Sequence, residues 1–458
     1  MTRVLKVALL CGVAVTLASC STVRSALPFG LGGDKEPQAT ASEGQRISVL
    51  EFEQQLAPSP ALSGRDFFIP GPQAAVAWTQ PGGNVENAPE HVIAAADFTV
   101  AWRRNVGAGS SRNQQVMAPV VADNGRVFVL DGESTVSAVD AGTGAPAWKV
   151  NVRPEGKERG GFGGGVAVGG GKVFVASGYR TMTAIDQASG AVLWTSPVDV
   201  PIHGAPTVAG NRVFVVDVEN QIFAFDTTTG RQDWSFRGIP EPARIMRASS
   251  PAVVGDTVIA PFSSGEVVAL RASTGQTLWS QTLSRTSRTS ALSEIRDIAG
   301  RPVVSRGVVY AVGHSGVLSA MDIRSGQPKW QLPVAGVNAP LPVGDVVYVV
   351  SKNGELTVIN RDNGQVYWTR DLNEGRGRKE GGFLGMFDRT VYPEWSGPLM
   401  ASNRLLLVNS EGELVALDPK TGAQTATLRL GAAAYVAPAA YNGSLFVLTD
   451  KGELVSIR

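Results

Sequence analysis

Cysteine is almost missing from this sequence. Its 458 residues contain only Cys11 and Cys20, both close to the N-terminus. The chain that follows Cys20 therefore has no disulfide, no thiolate metal site and no cysteine nucleophile. Histidine is nearly as scarce, and His91, His203 and His314 lie far apart, without the spacing of zinc ligands. We expect these three histidines at the surface or in turns.

The sequence also has little charge of either sign. It contains 41 basic and 40 acidic residues, and charged residues make up 18% of the chain. This balance argues against a general nucleic-acid-binding protein, which would show a basic excess. Outside the N-terminus, no apolar run is long enough to span a bilayer. Turn formers are abundant instead, and the 53 glycines and 27 prolines predict many short strands.

The N-terminus has the pattern of a targeting signal. "MTRVLK" is positively charged, "VALLCGVAVTLA" is a short apolar run, and "LASC" follows at Leu17–Cys20. This order is typical of a secretory signal peptide, which we expect to occupy residues 1–19. The ending resembles the bacterial lipobox, which implies that cleavage leaves Cys20 as a lipidated first residue. An ordinary signal peptide that happens to contain Cys is the alternative. Ser21 favours sorting to the outer membrane, where several acyl chains would anchor the protein stably.

The stretch after the signal lacks a repeated pattern. Residues 21–70 are rich in Pro, Gly, Ser and Ala and show little hydrophobic periodicity, which is typical of a tether. We therefore expect residues 20–97 to form a lipidated, mostly irregular arm, with a short added strand possible only at "RISVLEF". A second folded module is the alternative.

From residue 98 onward the sequence repeats itself. Each of seven segments contains a strand-like stretch, an Asp-like position, a Gly four residues later and, in the first six, a Trp eight residues later. These pairs are Asp140 and Trp148, Asp186 and Trp194, Asp226 and Trp234, Arg271 and Trp279, Asp322 and Trp330, and Asn360 and Trp368. The seventh segment keeps Asp418 and Gly422 but has Ala426 in the Trp position. A second shared piece, such as "PTVAGNRVFVV", precedes each segment and occurs once more after the seventh, which makes eight copies.

One unit has the pattern of a four-stranded antiparallel meander. A first strand is followed by a Gly/Asn/Asp turn and an aliphatic–aromatic strand; an alternating third strand ends in the Asp–Gly turn, and the fourth carries the Trp. One such sheet cannot bury both faces, so the units must stack, and the Trp ring can cover the gap between neighbours. The repeat therefore predicts an all-β, eight-bladed β-propeller over residues 98–458.

The last unit lacks its fourth strand. "KGELVSIR", at 451–458, matches the third strand of the other units, and no Trp-bearing strand follows it. "FTVAWRRNVG", at 98–107, has the opposite defect, because it matches a fourth strand without three strands before it. We therefore expect residues 98–105 to complete blade eight and to close the ring, which removes the unpaired sheet edge.

No catalytic pattern stands out. The glycine-rich stretch 157–172 leads into a strand rather than a helix, unlike a dinucleotide-binding motif. G-x-S-x-G, H-E-x-x-H and the calcium loop D-x-[DN]-x-[DN]-G are all absent. The sequence therefore predicts no enzyme, no cofactor and no metal site. The links 237–251, 280–302 and 371–398 instead predict interaction loops, although the aromatic residues of the third can also fold back on the blades.

The lipobox, the tether and a propeller without enzyme cysteines together resemble the BamB family, the lipoprotein subunits of the outer-membrane β-barrel assembly machinery. The strongest local resemblance is "SEIRDIAGRPVVSRGVVYAVGHSGVLSAMDIRSGQPKW" at 293–330. The resemblance implies an outer-membrane protein that faces the periplasm. It also implies docking on the periplasmic POTRA domains of BamA, association with the other subunits and contact with unfolded outer-membrane proteins.

By position, the resemblance carries partner-binding roles over to Ile245, Met246 and Arg247 in one loop and to Asp297 in the next. Ala299 stands where the family has a second Asp, which puts part of that acidic contact in doubt. Two alternatives stay open. One is a quinoprotein dehydrogenase, whose family resembles this repeat but uses adjacent cysteines against the quinone and Ca²⁺ held by acidic and amide side chains. The other is a periplasmic propeller that binds a ligand or peptidoglycan.

Overall fold

The computed structural model describes residues 56–112, 114–156, 161, 163–241, 249–283, 297–298, 300–381 and 389–458. In these ranges, all regular structure except one short 3-10 helix, Pro60–Leu62, is β-strand. Nothing helical in these ranges is long and apolar enough to cross a membrane. The strands form eight sheets of at least four strands and one separate two-stranded hairpin, which confirms the expected all-β propeller.

Three strands precede the repeats, and the first four blades follow as antiparallel meanders. The early strands are β1 (Gln73–Ala74), β2 (His91–Ile93) and β3 (Val100–Asn105). Blade 1 has β4 (Val121–Asp123), β5 (Arg126–Leu130), β6 (Thr135–Asp140) and β7 (Pro146–Asn151). Blade 2 has β8 (Gly164–Gly169), β9 (Lys172–Ser177), β10 (Thr181–Asp186) and β11 (Val192–Pro197). Blade 3 has β12 (Thr207–Ala209), β13 (Arg212–Val216), β14 (Gln221–Asp226) and β15 (Gln232–Arg237). Blade 4 has β16 (Ala252–Val254), β17 (Thr257–Pro261), β18 (Glu266–Arg271) and β19 (Thr277–Thr282).

The remaining four blades repeat the arrangement. Blade 5 has β20 (Val303–Ser305), β21 (Val308–Val312), β22 (Leu318–Asp322) and β23 (Pro328–Leu332). Blade 6 has β24 (Leu341–Val343), β25 (Val346–Val350), β26 (Glu355–Asn360) and β27 (Val366–Asp371). The hairpin β28 (Arg378–Glu380) and β29 (Arg389–Val391) follows. Blade 7 has β30 (Trp395–Ala401), β31 (Arg404–Asn409), β32 (Glu413–Leu417) and β33 (Gln424–Arg429). Blade 8 has β34 (Ala439–Tyr441), β35 (Ser444–Leu448), β36 (Glu453–Ile457) and, as its outermost strand, β3.

The ring closes between strands from opposite ends of the propeller sequence. β3 pairs antiparallel with β36, with Val100 opposite Ile457 and Asn105 opposite Glu453. Because β36 would otherwise be an edge strand, this pairing satisfies a row of backbone groups that could recruit another chain. The predicted closure by residues 98–105 is confirmed.

Burial follows the position of a strand within its blade. In β5, "RVFVL", every residue after the first is buried, because the sheet is covered by a neighbouring blade on each side. In β7, "PAWKVN", exposed and half-buried positions alternate, because this strand lies at the outer rim. The core is therefore a series of layers between blades rather than a single central cluster.

The repeated Trp residues join each blade to the next. The indole N–H of Trp148 donates a 3.0 Å hydrogen bond to the carbonyl of Gln187 in blade 2. Its ring covers Gly190, where an added Cβ would lie 2.8 Å from the indole. Gly190 also has a φ of 79°, so both space and backbone conformation favour glycine there. Trp102 of β3 covers Gly144 of blade 1 in the same way. The predicted Trp contacts are therefore confirmed at the ring closure and at every other interface except that between blades 7 and 8, because blade 7 has Ala426 in the Trp position.

The Asp that opens each turn is structural. Asp140 Oδ1 accepts hydrogen bonds from the N–H and the hydroxyl of Thr143, at 2.8 and 2.7 Å. These bonds favour the ionised form and hold the pKa of Asp140 below its usual value. Asp186, Asp226 and Asp322 have the same arrangement and a pKa shifted in the same direction. The repeated acidic residues therefore shape turns, as the sequence predicts.

Residues 75–95, here called the collar, contact all eight blades, and in most of them the contact is at the first strand or an adjoining residue. Trp78 and Ala122 exchange two backbone hydrogen bonds of 2.8 Å in blade 1. The Val168 and Val253 N–H groups donate to the collar in blades 2 and 4. The collar also contacts blade 3 through Gln80, blades 5 and 6 through Glu90, blade 7 through β2, and blade 8 through Ala94. Residues 75–95 of the arm expected over residues 20–97 are thus mostly irregular, but they pack on the propeller.

The alternating strand directions give the ring two different ends. The links between blades and the turns between second and third strands lie at one end, here called the connection face. The Asp–Gly turns and the turns between first and second strands lie at the other, here called the collar face, because the collar contacts Ala122, Val168 and their equivalents there. The central channel runs between these faces.

Candidate functional site

The predicted lipidation site and the predicted partner-binding residues fall in three places. Cys20 and the run Ile245, Met246 and Arg247 lie outside the described residues. Asp297 is described and is 5% exposed. The loops that carry these partner-binding residues link blade 3 to blade 4 and blade 4 to blade 5, so both belong to the connection face.

The beginning of the first of these loops is held firmly. Gly238 N–H donates to the carbonyl of Asn220 at 2.8 Å, and Ile239 N–H donates to Glu266 Oε2 at 2.9 Å. The side-chain amide of Asn220 donates to the carbonyl of Ile239 at 2.6 Å. Three bonds thus fix the backbone between blades 3 and 4, while the Ile239 side chain is 58% exposed. The loop leaves the ring next to an exposed apolar residue, a feature typical of contact surfaces.

The end of the second loop packs between blades 4 and 5. Ile298 is 1% exposed and its N–H donates to the carbonyl of Phe262 at 3.3 Å. The carbonyl of Asp297 accepts from the N–H of His314 at 2.9 Å. Asp297 is 5% exposed and offers little contact area, whereas its backbone carbonyl fixes this loop end.

The third long link, 371–398, contains the hairpin β28–β29. Trp395 is 6% exposed, donates its indole N–H to Asn373 at 2.9 Å and lies under the guanidinium of Arg376, 5.2 Å from the ring centre. Arg376 also binds Glu413 at 2.6 Å. Burial opposes the charge of Glu413, yet hydrogen bonds from Asn409 and Arg376 lower its pKa overall. Trp395 thus folds back on the blades, whereas Tyr392 is 53% exposed.

The central channel opens on the connection face as a cavity of about 690 Å³. Its walls come from the residues that lead into the first strands, together with parts of the links and turns. On the other side, the amide of Asn87 in the collar donates to the carbonyls of Pro251 and Pro302 at 3.3 and 3.0 Å. The collar therefore fills the channel from the collar face as far as the residue next to Arg301.

Arg301 is the one long side chain at its position in the repeat. In blade 5, Val303 of the first strand pairs with Tyr310 of the second strand. Arg301 lies two residues before Val303, and the equivalent position in each other blade is found from the corresponding strand pair. The other seven blades have small residues at this position: Pro119, Gly165, Ala205, Ser250, Ala339, Gly397 and Ala437. Arg301 was not predicted from the sequence, although the aligned repeats show it as the one long, charged residue among small ones.

The guanidinium of Arg301 has no counter-charge. No carboxylate in the described ranges forms an ion pair with it, and its buried Nε atom has no hydrogen-bond partner. Burial alone lowers its pKa to about 10, because the charged form loses solvation without compensation. At neutral pH the side chain is still a cation.

The histidines and acidic residues do not gather into a metal site in the described ranges. No three His, Cys, Asp or Glu side chains of those ranges are grouped to hold a metal ion. His203 lines the channel cavity. His91, expected at the surface or in a turn, is instead buried in β2, where its ring bonds the carbonyl of Pro70 at 2.6 Å and accepts from Asn403 N–H at 2.9 Å. This histidine joins the collar to blade 7.

Comparisons with solved structures place this fold beside both classes considered above. BamB from Moraxella catarrhalis superposes with a TM-score of 0.65 at 18% identity, covering 78% of this chain and 99% of that one. Quinohemoprotein alcohol dehydrogenase from Comamonas testosteroni gives 0.63 at 16% identity, covering 83% and 80%. At these identities the likeness concerns the fold alone.

Sequence comparison shows the family of this chain. The outer membrane protein assembly factor BamB of Salmonella typhimurium is 26% identical over 400 residues, covering 78% of this chain and 88% of that protein. The family profile described as outer membrane protein assembly factor BamB matches residues 78–161, 132–370 and 379–458. Because these matches extend over most of the chain, it belongs to the family of the outer membrane protein assembly factor BamB.

Proposed function

We propose that this protein is a non-enzymatic scaffold subunit of the outer-membrane β-barrel assembly machinery. It binds the POTRA domains of BamA, associates with the other subunits and aids the folding and insertion of outer-membrane proteins. A lipid on Cys20 anchors it to the outer membrane, facing the periplasm. No cofactor or metal takes part.

Membership of the BamB family is the observation that carries this proposal. The geometry of the connection face supports it further. The loops of Ile245, Met246 and Arg247 and of Asp297 belong to neighbouring links, and the first leaves the ring beside the exposed Ile239. An apolar anchor beside an arginine is the composition of many interface hot spots. Asp297, which is 5% exposed, contributes by holding the second loop in position.

Binding of the purified chain to the POTRA domains of BamA tests this function. We expect the double substitution Met246→Glu and Arg247→Glu to weaken binding at least about tenfold, because it places negative charge in an apolar, basic contact. Asp297→Ala should weaken binding less. Surface plasmon resonance at fixed ionic strength measures both effects.

Val192→Glu is the matched control. Val192 is apolar and 52% exposed, but it lies at the outer rim of blade 2. It should leave binding unchanged. Equal binding by the wild type and the double variant would rule out this docking loop, and lack of binding by the folded wild type would rule out the POTRA partner.

A further inference from the structure

The channel cavity is the place where one residue of the wall, Arg301, differs in size and charge from its equivalents in the other repeats. Eight copies of one unit build its walls, and seven of them place a small residue where Arg301 stands. The residue at this position is a half-buried cation whose Nε atom is buried and which has no ion-pair partner in the described ranges. An uncompensated charge that loses part of its solvation destabilises a fold. A residue that costs stability at the wall of a cavity is typical of a binding site.

We propose that Arg301 and the surrounding walls form a binding site for a small organic anion that carries a carboxylate. The planar guanidinium donates two parallel hydrogen bonds to such a group, a geometry that a carboxylate matches. The bound anion supplies the counter-charge that the described part of the chain does not. This role is separate from docking on the connection face.

The size and lining of the cavity select an organic ligand. A volume of about 690 Å³ is within the usual range for sites that enclose a drug-sized molecule. Met117 and Val337 give the walls apolar area, and Ser250 and Asn338 give them polar groups. This mixture of apolar and polar wall residues suits a ligand with an apolar body and a charged end.

Three other charged residues line the cavity. Lys352 and Glu394 are exposed, and Asp450 is half-buried. None of them forms an ion pair with Arg301. The acidic residues at the rim favour a ligand with few negative charges, since a polyanion would be repelled on entry.

Titration calorimetry of the purified full chain with isophthalate, an aromatic dicarboxylate, tests the site. We expect saturable binding of one isophthalate, with an affinity that falls at least about tenfold in Arg301→Gln, because the substitution removes a charge-assisted pair. Isophthalamide, the neutral analogue of the same shape, should bind at least tenfold more weakly to the wild type. Without ligand, Arg301→Gln should raise the melting temperature, because it removes an uncompensated buried charge.

Arg324→Gln is the control, because Arg324 is an exposed residue of the turn that ends the third strand of blade 5 on the collar face. It should leave isophthalate binding unchanged. Equal binding by wild type and Arg301→Gln, or no binding to the folded protein up to about 10 mM, would overturn the proposal. Inorganic phosphate that binds as tightly as isophthalate would overturn the preference for an organic ligand.

Discussion

The two ends of the central channel are built from the same eight repeats, yet they differ in what reaches them. On the collar face, residues 75–95 contact all eight blades and bring Asn87 to the carbonyl of Pro302. On the connection face, a cavity of about 690 Å³ leads to Arg301. The collar, which lies outside the repeat, fills the channel at the collar face. At the connection face the channel differs from a symmetric one through a single residue of the repeat, Arg301.

This difference teaches where a repeat protein acquires individual properties. Identical units make a symmetric wall, and a symmetric wall has no preferred side or ligand. Here the asymmetry between ends comes from the N-terminal arm, while the asymmetry around the ring comes from the long links and from Arg301. Function is therefore sought in departures from the repeat rather than in its most regular residues.

Removal of the collar should have the largest effect on this comparison. A mature chain that begins at residue 98 loses Trp78, Val92, Ala94 and Ala95, each no more than 5% exposed. We expect the free energy of unfolding to fall by more than about 5 kcal/mol, since one buried Trp alone contributes about 3–5 kcal/mol. The urea midpoint, followed by circular dichroism, measures the loss.

Hydrogen exchange adds a local measurement to the same deletion. The N–H groups of Val168 and Val253, which donate to the collar, should exchange faster, whereas amides of the outer strand β7 should not change. Removal of residues 21–55 is the control, and it should leave the midpoint in place. Equal midpoints for all three chains would show that the collar adds no stability.

Gln80→Ala should have an intermediate effect. Gln80 is 1% exposed, and its side chain pairs with both backbone groups of Val208, at 3.2 and 3.1 Å. The substitution leaves a buried N–H and a buried carbonyl without these partners, which should cost about 1–3 kcal/mol. Chemical denaturation measures the change. The exposed Gln73 provides the control, because Gln73→Ala should stay within about 0.5 kcal/mol of the wild type.

Arg306→Gln should have the smallest effect. Arg306 binds Glu90 at 2.9 Å, but the two side chains are 55% and 37% exposed. Solvent screens such a pair, so we expect a loss below about 1 kcal/mol. The difference from the wild type should shrink in 1 M salt, where the screening length is only about 3 Å. A loss as large as that of Gln80→Ala would mean that this ion pair, not the buried amide, holds the collar.

The propeller itself was predictable because its determinants recur. Asp140 and Trp148 show little alone, but the same spacing in six copies specifies a strand, a turn and a contact with the next unit. The closure by β3 followed from two incomplete units that complement each other. Even the exception has a structural reason: Ala426 replaces Trp in blade 7, and the next blade takes its fourth strand from β3, so it has no Asp–Gly turn for a Trp to cover.

The collar and Arg301 were not predicted, for different physical reasons. The collar binds mainly through backbone groups and through single side chains such as Gln80 and Asn87, which leave no periodic pattern in a sequence. The sequence predicted only a mostly irregular arm over residues 20–97. Arg301 does stand out, but only against the aligned repeats and only once the wall of the channel is known.

The pairing of β3 with β36 also sets an order of events during biosynthesis. Val100 is made long before its partner Ile457, so the ring cannot close until both strands are available. Contacts between such distant parts of a chain carry a large entropy cost and form slowly. Until then both strands present open edges. Closure of this propeller therefore requires that all eight blades have been made, because the strand that pairs with β3 belongs to blade 8.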